Sequence, residues 1–189
     1  MDNEVSAGST TSTLGHLALG ITLLAFGLGN TRVIDGVTVA DSVSIATYVG
    51  GIGLFVLGVL AFRDQDAFTG TAFAGLGAFW FTWAAGANTK FSANAAGLFL
   101  VLFALLALSL AAGSAGAGLF RQGTYGLLFL ALVLLAIGQF ADSSSLGKVA
   151  GWVATVAGAV AWYGATASLA KWPTALPRRA AGRGVTATG

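Results

Sequence analysis

Few side chains in this chain could do chemistry, and their placement limits what that chemistry is. His16 is the only histidine and cysteine is absent, which excludes a catalytic thiol and a histidine–cysteine metal cluster. The seven Asp and Glu residues are scattered, so no metal and no cofactor is expected. His16 stands near the start of the first apolar run and is the single group whose unperturbed titration falls near neutral pH. It has two readings, a proton-relay residue or an interfacial histidine without such a role. Ser and Thr inside apolar runs (Thr22, Thr71, Thr82, Ser109, Thr155) are expected to bond their own helix backbones. Three amides form a pattern: Asn30, Asn88 and Gln139 each close an odd-numbered apolar run. They read either as helix terminators or as a polar ring at the mouth of a path, donating to and accepting from a solute without fixing a charge.

The elements that must position these residues are membrane helices. The chain is 56% hydrophobic and only 8% charged, against about 25% charged for soluble domains. A span needs about 20 apolar residues, and six stretches approach that: Leu14–Leu28, Val43–Phe62, Thr69–Ala87, Ala93–Ala112, Gly123–Ala141 and Leu146–Ala170. Charges lie in the connections and tails, with Lys148 at the outer end of the last stretch. An intramembrane enzyme or a carboxylate-driven pump would need acidic or basic groups inside the spans. No enzyme is therefore expected. Residues 1–13 carry Asp2 and Glu4 but no Lys or Arg, unlike a secretory signal, so the first apolar run is expected to be retained.

Even span number puts both termini on one side. That side carries Arg63, Arg121, Lys171, Arg178, Arg179 and Arg183, and the other Arg32, Lys90 and Lys148. The positive-inside rule makes the first side cytoplasmic, giving a multi-pass plasma-membrane protein. The expected organisation is a cytoplasmic segment at 1–13, a six-helix domain at 14–172 and a basic disordered tail at 173–189. The net charge of +2 does not point to nucleic acid. With 28 glycines, small-residue stripes are expected to pack the helices closely. The clearest runs through Gly147, Gly151, Ala154, Gly158, Ala161 and Ala165; Gly50, Gly51, Gly53 and Gly58 form another. The tryptophans are candidate interfacial anchors, with Trp80, Trp83 and Trp152 equally able to pack inside.

Several of these segments resemble a known family. Gly50-Gly51-Ile52, Arg63 to Phe73, Gly77-Ala78-Phe79-Trp80, Leu135-Ala136-Ile137-Gly138 and Ala150-Gly151-Trp152 are similar to helices two, three, five and six of the acetate uptake transporters, the SatP/YaaH-type succinate–acetate permeases. Leu14-Gly15 through Asn30 resembles their first helix. The resemblance implies an all-α membrane protomer of six helices, arranged as three hairpins around a central pore, in a hexameric ring. It also implies an acetate-like permeant and a constriction with one side chain from each odd helix, falling on Leu19, Leu76 and Leu128. The chain departs from the family at Thr10-Thr11-Ser12-Thr13, where Asn-Pro-Ala-Pro is usual. It departs again at Leu54 and Ala61, in place of a Gln and a Glu, and at Leu76, in place of a Tyr. The leading expectation is a channel or proton-linked transporter for acetate or a similar monocarboxylate. The alternatives are a channel for urea, an amide or ammonia on the same fold, and a non-transporting scaffold or sensor.

Overall fold

The computed structural model describes residues 7–37, 39–89 and 92–172. The basic tail from 173, the residues before Ala7 and Lys90 lie outside that range. Helix α1 covers Ala7–Thr31. It begins earlier than the apolar pattern indicates, so residues 7–13 belong to it. Helices α2 (Val39–Ile45) and α3 (Leu54–Arg63) are joined through a π-helical segment, Ala46–Gly53, into one span. Helices α4 (Ala67–Thr89), α5 (Ala93–Gly113), α6 (Leu119–Phe140) and α7 (Ser144–Ala170) follow, with no strand among the described residues.

Local chemistry sets the ends. The Ser92 and Ser143 side chains accept from the amides of Ala95 and Leu146, capping α5 and α7, and Asp66 Oδ1 accepts from the amide of Thr69 to cap α4. Such caps satisfy N–H groups that a helix leaves open at its start. Gly118 enters α6 at φ 110°, a conformation that suits glycine alone.

Five stretches are long and apolar enough to cross a bilayer: Thr10–Thr31, Asp41–Arg63, Ala93–Gly113, Leu119–Phe140 and Ser144–Ala170. Helix α4 has the length, 23 residues, and no charge, but its sequence spends positions on Gly, Thr and Trp. It can do so because most of its large side chains face the protein interior: Phe73, Leu76, Phe79 and Trp80 are all buried, while Phe81 is exposed. The outer faces present Ile21, Phe55, Leu102, Leu130, Val149 and Val156, the surface expected toward lipid tails rather than water.

The helices close a ring: α1 packs on α7, α7 on α6, α6 on α5, α5 more lightly on α4, α4 on α3 and the π segment, and these back on α1. The α1–α7 seam is the closest, because glycine lets the backbones touch. A Cβ on Gly158 would stand 2.7 Å from the amide nitrogen of Leu24 and 2.8 Å from the carbonyl oxygen of Gly20. Gly151 and Gly158 of the expected stripe are in this seam, with Ala154, Ala161 and Ala165 buried beside them, whereas Gly147 faces open space. Trp80 is buried and Trp83 partly so, while Trp152, Trp162 and Trp172 are exposed at the outer surface.

Candidate functional site

Helices α1, α4 and α6 make little close backbone approach to one another; side chains fill the space between them. Those side chains come in register. His16, Leu19, Leu23 and Phe26 on α1 match Phe73, Leu76, Trp80 and Trp83 on α4, and Tyr125, Leu128, Leu132 and Leu135 on α6, with identical offsets along each helix. This spacing keeps each series on one helix face. All but Trp83 are buried, and apart from His16 all belong to one contiguous apolar cluster or pack against it. The leucines at 19, 76 and 128 are 0%, 0% and 2% exposed, and each comes from a different helix.

Above the leucines, toward the C-terminal ends of the three helices, the filling is aromatic. Phe26 meets the Trp80 ring edge-on at 5.1 Å, and Phe79 stacks with Phe99 at 5.6 Å. The indole Nε1 atoms of Trp80 and Trp83 are buried without a hydrogen-bond partner among the described residues. An unmet buried donor costs about 1–3 kcal/mol, a cost that an oxygen acceptor would relieve.

Below the leucines the lining turns polar. His16 is 9% exposed. Its Nδ1 lies 2.7 Å from the carbonyl oxygen of Ser12. A carbonyl only accepts, so Nδ1 carries a proton and neutral His16 presents Nε2 as an acceptor. The Tyr125 hydroxyl stands 3.4 Å from Nε2, a long and loosely held bond. Phe73 closes the third side, edge-on to the imidazole at 5.2 Å. Beneath this layer opens a vestibule of about 810 Å³ that includes His16, Arg121, Thr124, Asp64, Asp66 and Lys171 in its walls. It gathers the start of α1, the α3–α4 turn, the start of α6 and the end of α7 at one end of the molecule, as alternating spans require. Arg121 Nη2 donates to Ser12 Oγ over 3.4 Å, and Thr11 Oγ1 donates to Asp64 Oδ2 over 3.3 Å.

The amides are arranged less symmetrically. Asn30 is half-buried, and its Nδ2 donates to the carbonyl oxygen of Phe26 in its own helix, 2.8 Å away. Its Cβ lies against Gly151 of α7. Gln139 is also half-buried, in the register that carries Asn30 on α1. Asn88 is helical, but its side chain lies outside the described residues; it stands one position beyond that register, about 100° around an ideal helix. Tyr125 and Phe73 escaped the sequence reading, although the signal was present: each precedes its leucine by the same interval as His16 precedes Leu19.

Comparison with known proteins agrees with this architecture. The family described as GPR1/FUN34/yaaH matches residues 5–176. The succinate-acetate/proton symporter SatP of Escherichia coli strain K12 is 28% identical over 159 residues, covering 79% of this chain and 82% of SatP. Ammonia transport outward protein 2 of Saccharomyces cerevisiae is 24% identical over 170 residues, covering 83% of this chain and 60% of that longer protein. A solved structure of the bacterial acetate channel SatP superposes with a TM-score of 0.78 at 26% identity, over 88% of this chain and 97% of that one. With its matched residues spanning nearly the whole six-helix bundle, this all-α membrane protein belongs to the GPR1/FUN34/yaaH family.

Proposed function

We propose that the protein conducts a small monocarboxylate, acetate or a close analogue, along the axis between α1, α4 and α6. The observation that carries this reading is the registered stack: a polar vestibule, a layer of three leucines, then an aromatic section with two unmet indole donors. The likeness to SatP, a succinate-acetate/proton symporter, supports the substrate class.

Leu19, Leu76 and Leu128 act as a hydrophobic gate of the dewetting kind. They are closed in this conformation, and passage needs their side chains to part. A carboxylate that lost its water there would meet no counter-charge, and an unpaired ion in apolar surroundings is very costly. The neutral acid is far cheaper to move, so the acid crosses protonated and its flux carries a proton. The indoles of Trp80 and Trp83 then receive its oxygen beyond the gate. Asn30 and Gln139 serve the far mouth, with Asn30 able to exchange its backbone bond for a solute.

Both termini are cytoplasmic in this reading, by the Lys and Arg distribution, in a plasma-membrane protein that assembles as a homo-hexamer with one path per protomer. It is a transport protein, not an enzyme.

The test is uptake of labelled acetate into proteoliposomes across a pH series. Carboxyls ionise near pH 4, so each unit of acidification above that raises the neutral fraction about tenfold. Uptake is expected to rise steeply as external pH falls; uptake that stays flat or falls overturns the neutral-acid route. A second reading, a channel for neutral solutes such as urea or ammonia, is favoured by the absence of fixed charge among the described residues between the vestibule and the far mouth. Labelled acetate that is displaced by urea would favour it.

A further inference from the structure

His16 differs from every other side chain in the registered stack, since it is the one whose unperturbed titration lies near neutral pH. The fold places it one helical turn below the gate, on the same face of α1 as Leu19, with Tyr125 and Phe73 at the matching positions of α6 and α4. We propose that His16 and Tyr125 form the station where a permeating carboxylate is bound and exchanges its proton before reaching the leucines. This rests on the monocarboxylate reading above.

The geometry divides the work. Ser12 holds Nδ1–H in place, which aims Nε2 toward Tyr125 and leaves it as the exchanging atom. The contact between Nε2 and the Tyr125 hydroxyl is long, 3.4 Å, so a carboxyl group can part the pair and meet both. In the imidazolium form, Nε2–H donates to one carboxylate oxygen and the Tyr125 hydroxyl donates to the other. The N–H bond then breaks as the O–H bond forms. Neutral acid leaves toward the leucines, neutral imidazole stays on the Ser12 carbonyl, and a hydronium ion from vestibule water restores the charge. Arg121 and Lys171 attract the anion, while Asp64 and Asp66 share the vestibule and oppose it. The captured anion is therefore drawn toward the α1–α6 side, where Arg121 already leans on Ser12. Phe73 excludes water from the third side.

The experiment compares wild type, His16→Gln and Tyr125→Phe across a pH series in proteoliposomes selected for the vestibule end facing the medium, so that labelled acetate meets His16 before the leucines. Removing the exchanger matters most where the solute arrives ionised. His16→Gln is expected to lower uptake about tenfold or more near neutral pH, and to converge on wild type in acid, where the solute is already protonated. A merely structural role would lower uptake at every pH. Tyr125→Phe keeps the ring and is expected to raise the half-saturating acetate concentration about three- to tenfold, with the maximal rate less affected.

A second measurement does not depend on flux. Because the chain has one histidine, histidine-selective isotope labelling of untagged protein reports on His16 alone. Acetate is expected to shift the Nε2 resonance saturably, and more weakly in Tyr125→Phe. If wild type transports acetate but its His16 signals are unmoved, or if His16→Gln matches wild type at every pH, the station is overturned. Wild type that carries no acetate while its His16 signals still respond overturns the transport reading and leaves the binding station supported.

Discussion

At the scale of single residues, the interior separates two tasks that one residue type could not combine. In the proposed gate Leu76, fully buried in the apolar cluster to which α1 and α6 also contribute, blocks water and ions by offering them nothing. Truncating it to alanine removes packing worth about 2–5 kcal/mol and widens the gate. Leu76→Ala is expected to raise acetate flux while lowering thermal stability; flux equal to wild type would refute the leucine gate. Trp80 poses the opposite case, since its indole N–H is buried without a partner among the described residues. Trp80→Phe deletes a donor that no described residue uses. Stability is expected to change by less than the cost of losing a made bond, about 1 kcal/mol, while the half-saturating acetate concentration rises. A large stability loss with unchanged transport would show that the indole serves packing alone.

At the scale of helices, close approach and open space distinguish glycines that look alike in sequence. A side chain at Gly158 would run into the α1 backbone at Leu24 and Gly20, whereas nothing lies within 4 Å of a Cβ at Gly147. Backbone cannot rotate out of the way as a flexible side chain can. Gly158→Val is therefore expected to cost more than the about 1–3 kcal/mol usual for overpacking and to cut the yield of folded protein. Gly147→Ala is expected to stay within about 0.5 kcal/mol of wild type. Thermal unfolding in detergent checks both. The π segment Ala46–Gly53 is a related device: its buried Gly50 and Gly51 admit Trp80 and Phe81 of α4 close to the backbone. π-helical turns recur at functional sites, and here one supports the wall behind the tryptophans.

For the whole molecule, the ring of helices puts the α3–α4 turn, the α5–α6 loop and the end of α7 at the vestibule end. In the proposed topology, by the positive-inside rule, this end is cytoplasmic. The chain lacks cysteine, so single introduced thiols report cleanly. Ala117→Cys is expected to resist a membrane-impermeant maleimide added outside intact cells, and Ser145→Cys to react; the reverse pattern inverts the topology. Native mass measurement of the detergent-solubilised protein checks the hexamer, and a monomer would refute it.

The sequence by itself determined the helical membrane class, the six spans and their alternation, because the hydrophobic cost of a charge in lipid writes those features into composition and spacing. It also held the register of the three inner stripes, since helical period ties His16 to Leu19 as it ties Phe73 to Leu76 and Tyr125 to Leu128. Only the tertiary structure decided which of those stripes meet. The near contact of His16 with Tyr125 joins residues 109 apart in the chain, and no local preference encodes such a pairing. Nor does sequence period tell a glycine pressed on a neighbouring backbone from one facing open space, or an amide turned toward a solute from Asn30 bonded to its own helix. Those distinctions depend on how whole helices rotate against each other, which packing of all six together decides.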